Sequence, residues 1–228
     1  MFIGCIFFAS VISSCGKGNG ASPTGLNIQY EIINLSPDMG PVNLFIGTAQ
    51  VNTFGNPYTF EVNPGYFYVP SIATPYQIRS ALGSGAPIFS RNDILQSGAK
   101  YSLFITGSLL QGSDTTIFTV DTATIPTIGR GKLRFVNASP TATGGLDLYA
   151  NGTLTKEFTG IVYLKQSSYV ELPVGNYDLK INATGSPSTL SEQPSVTIQD
   201  GRLYTLYAYG YTTRLDSAAF NSAVIINK

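Results

Sequence analysis

The sequence predicts an all-β protein made of two tandem antiparallel β-sandwiches, and three observations carry that reading. One pattern occurs twice. Glu31-Ile32-Ile33-Asn34-Leu35-Ser36-Pro37, followed by Val42-Asn43-Leu44-Phe45, returns as Arg134-Phe135-Val136-Asn137-Ala138-Ser139-Pro140, followed by Leu146-Asp147-Leu148-Tyr149, with Asn34 and Asn137 103 positions apart. Short runs rich in β-branched and aromatic residues are separated by Gly, Pro, Asn and Ser at roughly the 8–12-residue spacing of sandwich strands. No stretch sustains the 3.6-residue period of an amphipathic helix.

Two further anchors extend the repeat. Tyr177-Asp178-Leu179-Lys180 follows Tyr76-Gln77-Ile78-Arg79, and Gly201 to Gly210 follows Gly98 to Gly107, with Tyr101/Tyr204, Leu103/Leu206 and Phe104/Tyr207 in step. The chain therefore divides into a leader (1–14), a tether (15–25), a first module (26–122), a linker (123–129) and a second module (130–228).

Within the first module, strands are expected over Asn27 to Asn34, around Val42, Leu44 and Ile46, and at Tyr58 to Phe60. Further strands are expected at Tyr66 to Val69, Tyr76 to Arg79, Lys100 to Thr106 and Thr115 to Val120. Turn residues such as Ser36-Pro37-Asp38, Pro64-Gly65 and Ser97-Gly98 separate them. In the second, strands are expected at Lys132 to Asn137, Leu146 to Tyr149, Ser168 to Leu172, Tyr177 to Ile181 and Gly201 to Gly210. Asn151-Gly152 predicts a two-residue type I′ hairpin, since both residues tolerate positive φ.

Composition excludes several function classes. The chain has 228 residues, only 11% of them charged and with zero formal net charge. No field is available to gather nucleic acid or acidic lipid. There are no histidines, so the usual general base and metal ligand are missing. Both cysteines, Cys5 and Cys15, lie in the first fifteen residues. The modules accordingly hold no disulfide and no thiolate metal site, and no cofactor is expected.

Phe2 to Ile12 is an apolar run too short to span a bilayer, which needs about 20 residues, and it has the length of a signal-peptide core. It ends in Ile12-Ser13-Ser14-Cys15, which resembles the lipobox of bacterial lipoproteins. That resemblance makes Cys15 the lipid attachment site and places the protein in the bacterial cell envelope, on the outer membrane, with the membrane as a partner through its anchor. No Lys or Arg precedes the run, which predicts a true start upstream of Met1. Gly16 to Gly25 reads as a flexible tether.

The N-A-S-P turn at Asn137, the Leu146-Asp147-Leu148-Tyr149 strand with its Asn151-Gly152 hairpin, Leu172 to Tyr177 and the Gly201 to Gly210 strand resemble the bacterial domain of unknown function 4397 family. Its members are secreted or lipid-anchored proteins with tandem immunoglobulin-like β-sandwiches, which is the fold the resemblance implies. The family carries no established activity and no catalytic residues to transfer. The first module is the more diverged copy, with Pro75 replacing the glycine-containing turn.

Four groups are candidates for chemistry. Asp147, matched by Asn43, should face away from Leu146 and Leu148, and is read as a solvated outer-face or turn carboxylate rather than half of a glycosidase pair. Asp114 and Asp121 bracket a strand without forming a calcium loop. Arg130, Lys132 and Arg134 share one strand face, read as a solvated face near the linker. Tyr207, Tyr209 and Tyr211 share another, with Tyr204, Leu206 and Ala208 on its reverse. Exposed, such a row could stack on sugar rings or bind a protein; the alternatives are cross-strand pairing or packing on the other module. The expected function is a non-enzymatic binding, adhesion or scaffolding module. The runners-up are a carbohydrate binder using the tyrosine face and an envelope hydrolase using a carboxylate pair.

Overall fold

The computed structural model describes residues 25–53, 55–72, 74–83 and 85–228, so the leader, most of the tether and Cys15 lie outside the described residues. The first half contains β1 (Asn27–Asn34), β2 (Val42–Ile46), β3 (Ala49–Gln50), β4 (Phe67–Pro70), β5 (Tyr76–Ser80), β6 (Phe89–Arg91), β7 (Lys100–Thr106) and β8 (Thr115–Val120). The second contains β9 (Arg130–Asn137), β10 (Leu146–Ala150), β11 (Thr153–Leu154), β12 (Val170–Pro173), β13 (Gly175–Ala183), β14 (Thr189–Ile198), β15 (Leu203–Tyr209) and β16 (Asn221–Ile226), with one 3-10 turn at Lys156–Phe158.

These strands form four sheets. In the first half the orders are β4-β1-β7-β8 and β3-β2-β5-β6; in the second they are β12-β9-β15-β16 and β11-β10-β13-β14. The duplication is thus reproduced sheet by sheet, and it extends to register. Tyr30 lies opposite Tyr101 as Leu133 lies opposite Tyr204, and Ile28 opposite Val69 as Gly131 opposite Leu172. One feature departs from a purely antiparallel expectation: β1–β7 and β9–β15 run parallel, while the other strand pairings are antiparallel. Parallel pairs favour strands buried on both faces, and β7 and β15 are apolar or neutral along nearly their whole length.

Local chemistry repeats as well. Asn34 Oδ1 accepts from Ser36 N at 3.2 Å and Asn137 Oδ1 from Ser139 N at 3.0 Å. Their amide nitrogens reach across the sandwich, Asn34 to Tyr58 O at 3.4 Å and Asn137 to Ile161 O at 2.8 Å. Each asparagine therefore builds its turn and pins an opposing loop, using the side-chain mimicry of backbone that suits Asn to turns. The Tyr101 and Tyr204 hydroxyls each accept a backbone N–H, from Gln96 and Gln199, at 3.0 Å. Asn151 (φ 48°) and Gly152 (φ 76°) form the expected hairpin between β10 and β11. Gly107 and Gly210 (φ +87° and +74°) are also equivalent; a Cβ on either would strike the carbonyl of Ser113 or Ala219.

Each half has its own core. Ile28, Tyr30, Ile32, Val42, Leu44, Tyr76, Ile78, Leu103 and Ile105 pack in the first, and Leu133, Phe135, Leu146, Leu148, Leu179, Ile181, Tyr204 and Leu206 in the second. A third apolar layer lies between them. Ile33, Leu35, Phe104 and Ile117 meet Val136, Ala138, Tyr207, Tyr209 and Ile225. These residues have the opposite strand parity to the two cores, so the β4-β1-β7-β8 and β12-β9-β15-β16 sheets are buried on both faces. They form the inner pair of a four-layer stack.

Candidate functional site

The contact between the inner sheets pairs a surface with its own repeat. Phe104 and Tyr207, equivalent by the 103-residue offset, meet with ring centroids 5.3 Å apart. Ile33 is equivalent to Val136, and Leu35 to Ala138; all four lie in this layer. This is the geometry of a two-fold, self-complementary interface, here enclosed within one chain. Thr106 Oγ1 adds a hydrogen bond to Ala138 O at 2.6 Å across it.

Beside the apolar layer lies a buried polar cluster in which the same pseudo-symmetry holds. In the first half the Ser102 hydroxyl lies 3.1 Å from Glu31 Oε2 and 2.6 Å from Asp121 Oδ2, and Tyr66 donates to Asp121 Oδ2 at 2.8 Å. In the second, Thr205 takes the place of Ser102, Arg134 of Glu31, Asn227 of Asp121 and Tyr169 of Tyr66. Arg134 Nη2 donates to Thr205 Oγ1 at 2.8 Å, and Thr205 donates to Asn227 Oδ1 at 2.7 Å. Arg134 also stacks over the Tyr169 ring at 4.8 Å.

The halves differ in charge, and the difference joins them. Arg134 pairs with Asp121 and donates to Val120 O at 2.9 Å, while Asn227 Nδ2 donates to Tyr66 at 2.7 Å. Arg134 is 2% exposed and Asp121 fully buried. Two like copies of either half could not make this pair. Two first halves would oppose the Glu31 and Asp121 carboxylates, and two second halves would set Arg134 against the neutral Asn227 and leave its buried charge without a counter-charge, which is costly at a desolvated surface.

These positions correct several expectations. Tyr207 and Tyr209 are 3% and 6% exposed and belong to the layer between the halves, so they offer no open stacking platform; Tyr211 alone of the three remains half-buried. Burial, reinforced by Glu61, pushes the Tyr209 hydroxyl up to about 12. Arg134 is not on a solvated face. Lys132, half-buried, ties down the connecting segment through Thr124 Oγ1 at 2.7 Å, and Arg130 is half-buried. Asp147 is buried rather than solvated, accepting from Gly160 N at 2.8 Å, Thr184 Oγ1 at 3.1 Å and Gly185 N at 3.2 Å. Its carboxylate closes loops and has no second acid beside it among its hydrogen-bond partners. Asp121 serves the cluster, while Asp114 is half-buried at the start of β8.

Burial is the main force raising the Glu31 carboxyl above its ordinary range, opposed by hydrogen bonds from Asn63 and Ser102 and assisted by the Asp121 charge. The folded chain therefore holds this proton more tightly than the unfolded chain. Stability from Glu31 is fully present below the ordinary carboxylate value and is lost as pH rises through the raised one. Glu31→Gln should accordingly raise the denaturant midpoint at pH 7, and the gain should shrink below about pH 4. A gain that does not vary with pH would contradict the assignment.

A second feature is a cavity of about 350 Å³ in the first half, floored by Tyr30, Leu44, Ile78 and Leu103 and opening beside Arg91 at the β6 edge. Neither this cavity nor the polar cluster was singled out from the sequence. For the cluster a signal existed: Glu31 and Arg134 are opposite charges at equivalent positions inside apolar runs, where an unpaired charge is costly. Among the described residues no group of three or more His, Cys, Asp or Glu is placed to hold a metal ion.

No curated protein matches the chain. The family model "Domain of unknown function (DUF4397)" matches it twice, over residues 29–144 and 141–225. Together these segments take in every strand of both sandwiches apart from a residue or two at each end, and the duplicated sheets, the turns and the paired Tyr101 and Tyr204 hydroxyl contacts lie within them; the chain belongs to the DUF4397 family.

Proposed function

We propose that this chain is a lipid-anchored protein of the bacterial cell envelope, held on the outer membrane through Cys15, whose two joined sandwiches act as a non-enzymatic binding, adhesion or scaffolding module. The observation that supports this best is the buried layer between the halves, with its Asp121–Arg134 pair. An arrangement that fixes two modules against each other suits presentation of a surface at a set distance from a membrane. Domains joined by small polar contacts would instead move independently.

The same cluster bears on the hydrolase alternative. Glu31 and Asp121 are two acids from different segments, as a carboxylate mechanism requires. However, both are buried, and Asp121 accepts from Ser102, Thr119, Tyr66 and Arg134 of the same chain. Such saturation favours a structural role over attack on a substrate. A protein or glycan partner would be met on surfaces other than the Tyr207 face.

Anchoring has a direct test. The parent chain expressed in a bacterial host should sediment with membranes and incorporate labelled palmitate, and Cys15→Ser should abolish labelling and release the protein. Palmitate labelling that persists in Cys15→Ser would overturn the assignment.

A further inference from the structure

Both halves present equivalent loops at the end of the stack where the chain enters β1. Ser71 N donates to Leu26 O at 2.8 Å, as Val174 N does to Gly129 O at 3.0 Å; Gly98 N donates to Asn27 O at 2.7 Å, as Gly201 N does to Arg130 O at 2.9 Å. Gly98 and Lys100 of the first half and Leu203 and Lys228 of the second line one hollow, so the two sets of loops lie side by side. From this end β1 and β7 run parallel, as do β9 and β15.

These loops hold apolar side chains out in solvent. Leu26, Ile72 and Ile94 are exposed on the first half, and Leu95 N, next to Ile94, donates to Ser71 O at 3.1 Å. Val174 is exposed on the second half, while Ile125 and Ile128, on the connecting segment, are 73% and 92% exposed. That segment is fastened in place: Lys132 Nζ donates to Thr124 O at 3.0 Å and Arg130 N to Thr127 O at 2.9 Å. Arg202 and Lys228 are exposed beside it, and Arg130 is half-buried. The neighbouring acids are engaged, Asp200 by Gly129 N, Glu171 by Thr127 N and Asp93 by Arg91. An exposed apolar group ringed by cations marks an interaction surface. The opposite end also exposes Leu110 and Leu215, but beside Asp38 and Asp216, and a strand length of about 25 Å separates it from this one.

Gly25, where the described chain begins, is ten residues beyond Cys15. A Gly-rich segment of that length has an r.m.s. reach of about 15–20 Å. An acylated Cys15 would therefore keep this end, and not the opposite one, within reach of the bilayer, at an effective concentration that favours weak contacts. We propose that this end docks on the lipid bilayer, with Ile125, Ile128, Val174 and the Leu26–Ile72–Ile94 group entering the headgroup–acyl boundary and Arg130, Arg202 and Lys228 at headgroup level. The inference rests on the anchoring proposed above and adds an orientation to it: the strands stand away from the membrane. Because the chain is neutral overall, apolar burial rather than long-range attraction carries the contact.

Acylation consumes the Cys15 thiol and leader removal takes Cys5, so an introduced cysteine is the sole free thiol. The full chain, matured in a bacterial host with Val174→Cys or Leu215→Cys, is labelled with an environment-sensitive fluorophore. It is then reconstituted into phosphatidylethanolamine–phosphatidylglycerol vesicles with or without brominated phosphatidylcholine. The label at position 174 should shift to the blue and lose most of its emission to bromine, whereas the label at 215 should keep its emission. Adding Ile125→Ser and Ile128→Ser, both at exposed positions, should restore the emission at 174 while flotation with vesicles persists. A chain that does not float overturns the anchoring and the docking with it. One that floats with position 174 unquenched, with both positions quenched alike, or with quenching indifferent to the two serines overturns the docking alone. A blue shift without quenching would assign this end to a second copy of the chain and also overturn it.

Discussion

Arg134→Ala should destabilise the protein by about 3–5 kcal/mol, the usual cost of stranding one member of a buried ion pair. The cost arises on the partner. Asp121 is fully buried, and without Arg134 it keeps hydrogen bonds from Ser102, Thr119 and Tyr66 but loses its counter-charge. Arg134 also bridges Thr205, Val120 and the Tyr169 ring, so truncation removes packing as well as charge. The double variant Asp121→Asn/Arg134→Met should recover most of the loss, because no uncompensated charge remains. Equilibrium denaturation of the two variants checks this. A single variant within about 1 kcal/mol of the parent would place the pair among weak, solvent-screened bridges.

Phe104→Ala should cost a comparable amount, about 3–5 kcal/mol, the range for deleting a buried phenylalanine. Phe104 is fully buried, yet it points away from the first core and into the layer shared with Val136, Tyr207 and Ile225. Its loss should therefore weaken the coupling of the halves more than either sandwich. Tyr207→Ala should act similarly, and the two losses should not add, since the rings contact each other. Denaturation of the two single variants and the double variant measures that coupling. Strict additivity would show that the rings do not act as a pair.

Much of the fold was legible in the sequence because the module is written twice. The strand over Asn27–Asn34, the Asn-Ser-Pro turns and the Asn151-Gly152 hairpin all follow from local chemistry, and the repeat offset predicts shared register. Strand β14 was not expected. Its sequence is polar and contains Pro194, which ordinarily argues against a strand. The structure accommodates this with an irregularity between Val196 and Gln193, where Ser195 has φ 55°, on a largely exposed strand at the sheet edge. The layer between halves was harder to read, because alternation identifies faces but not what covers them. Tyr207 and Tyr209 were correctly placed on the reverse of the Leu206 face, while an aromatic row looks the same whether it meets solvent, a sugar or a neighbouring sheet. The short β6, and with it the open edge, depends on tertiary closure that local propensity does not report.

The central claim is that the two repeats are fixed to each other by a buried, pseudo-symmetric contact. Scanning calorimetry of the full chain tests it most directly. The account predicts one cooperative transition with equal calorimetric and van't Hoff enthalpies, resolving into two when Arg134→Ala and Phe104→Ala are combined. Two separate transitions in the parent chain, unmoved by that double variant, would contradict it.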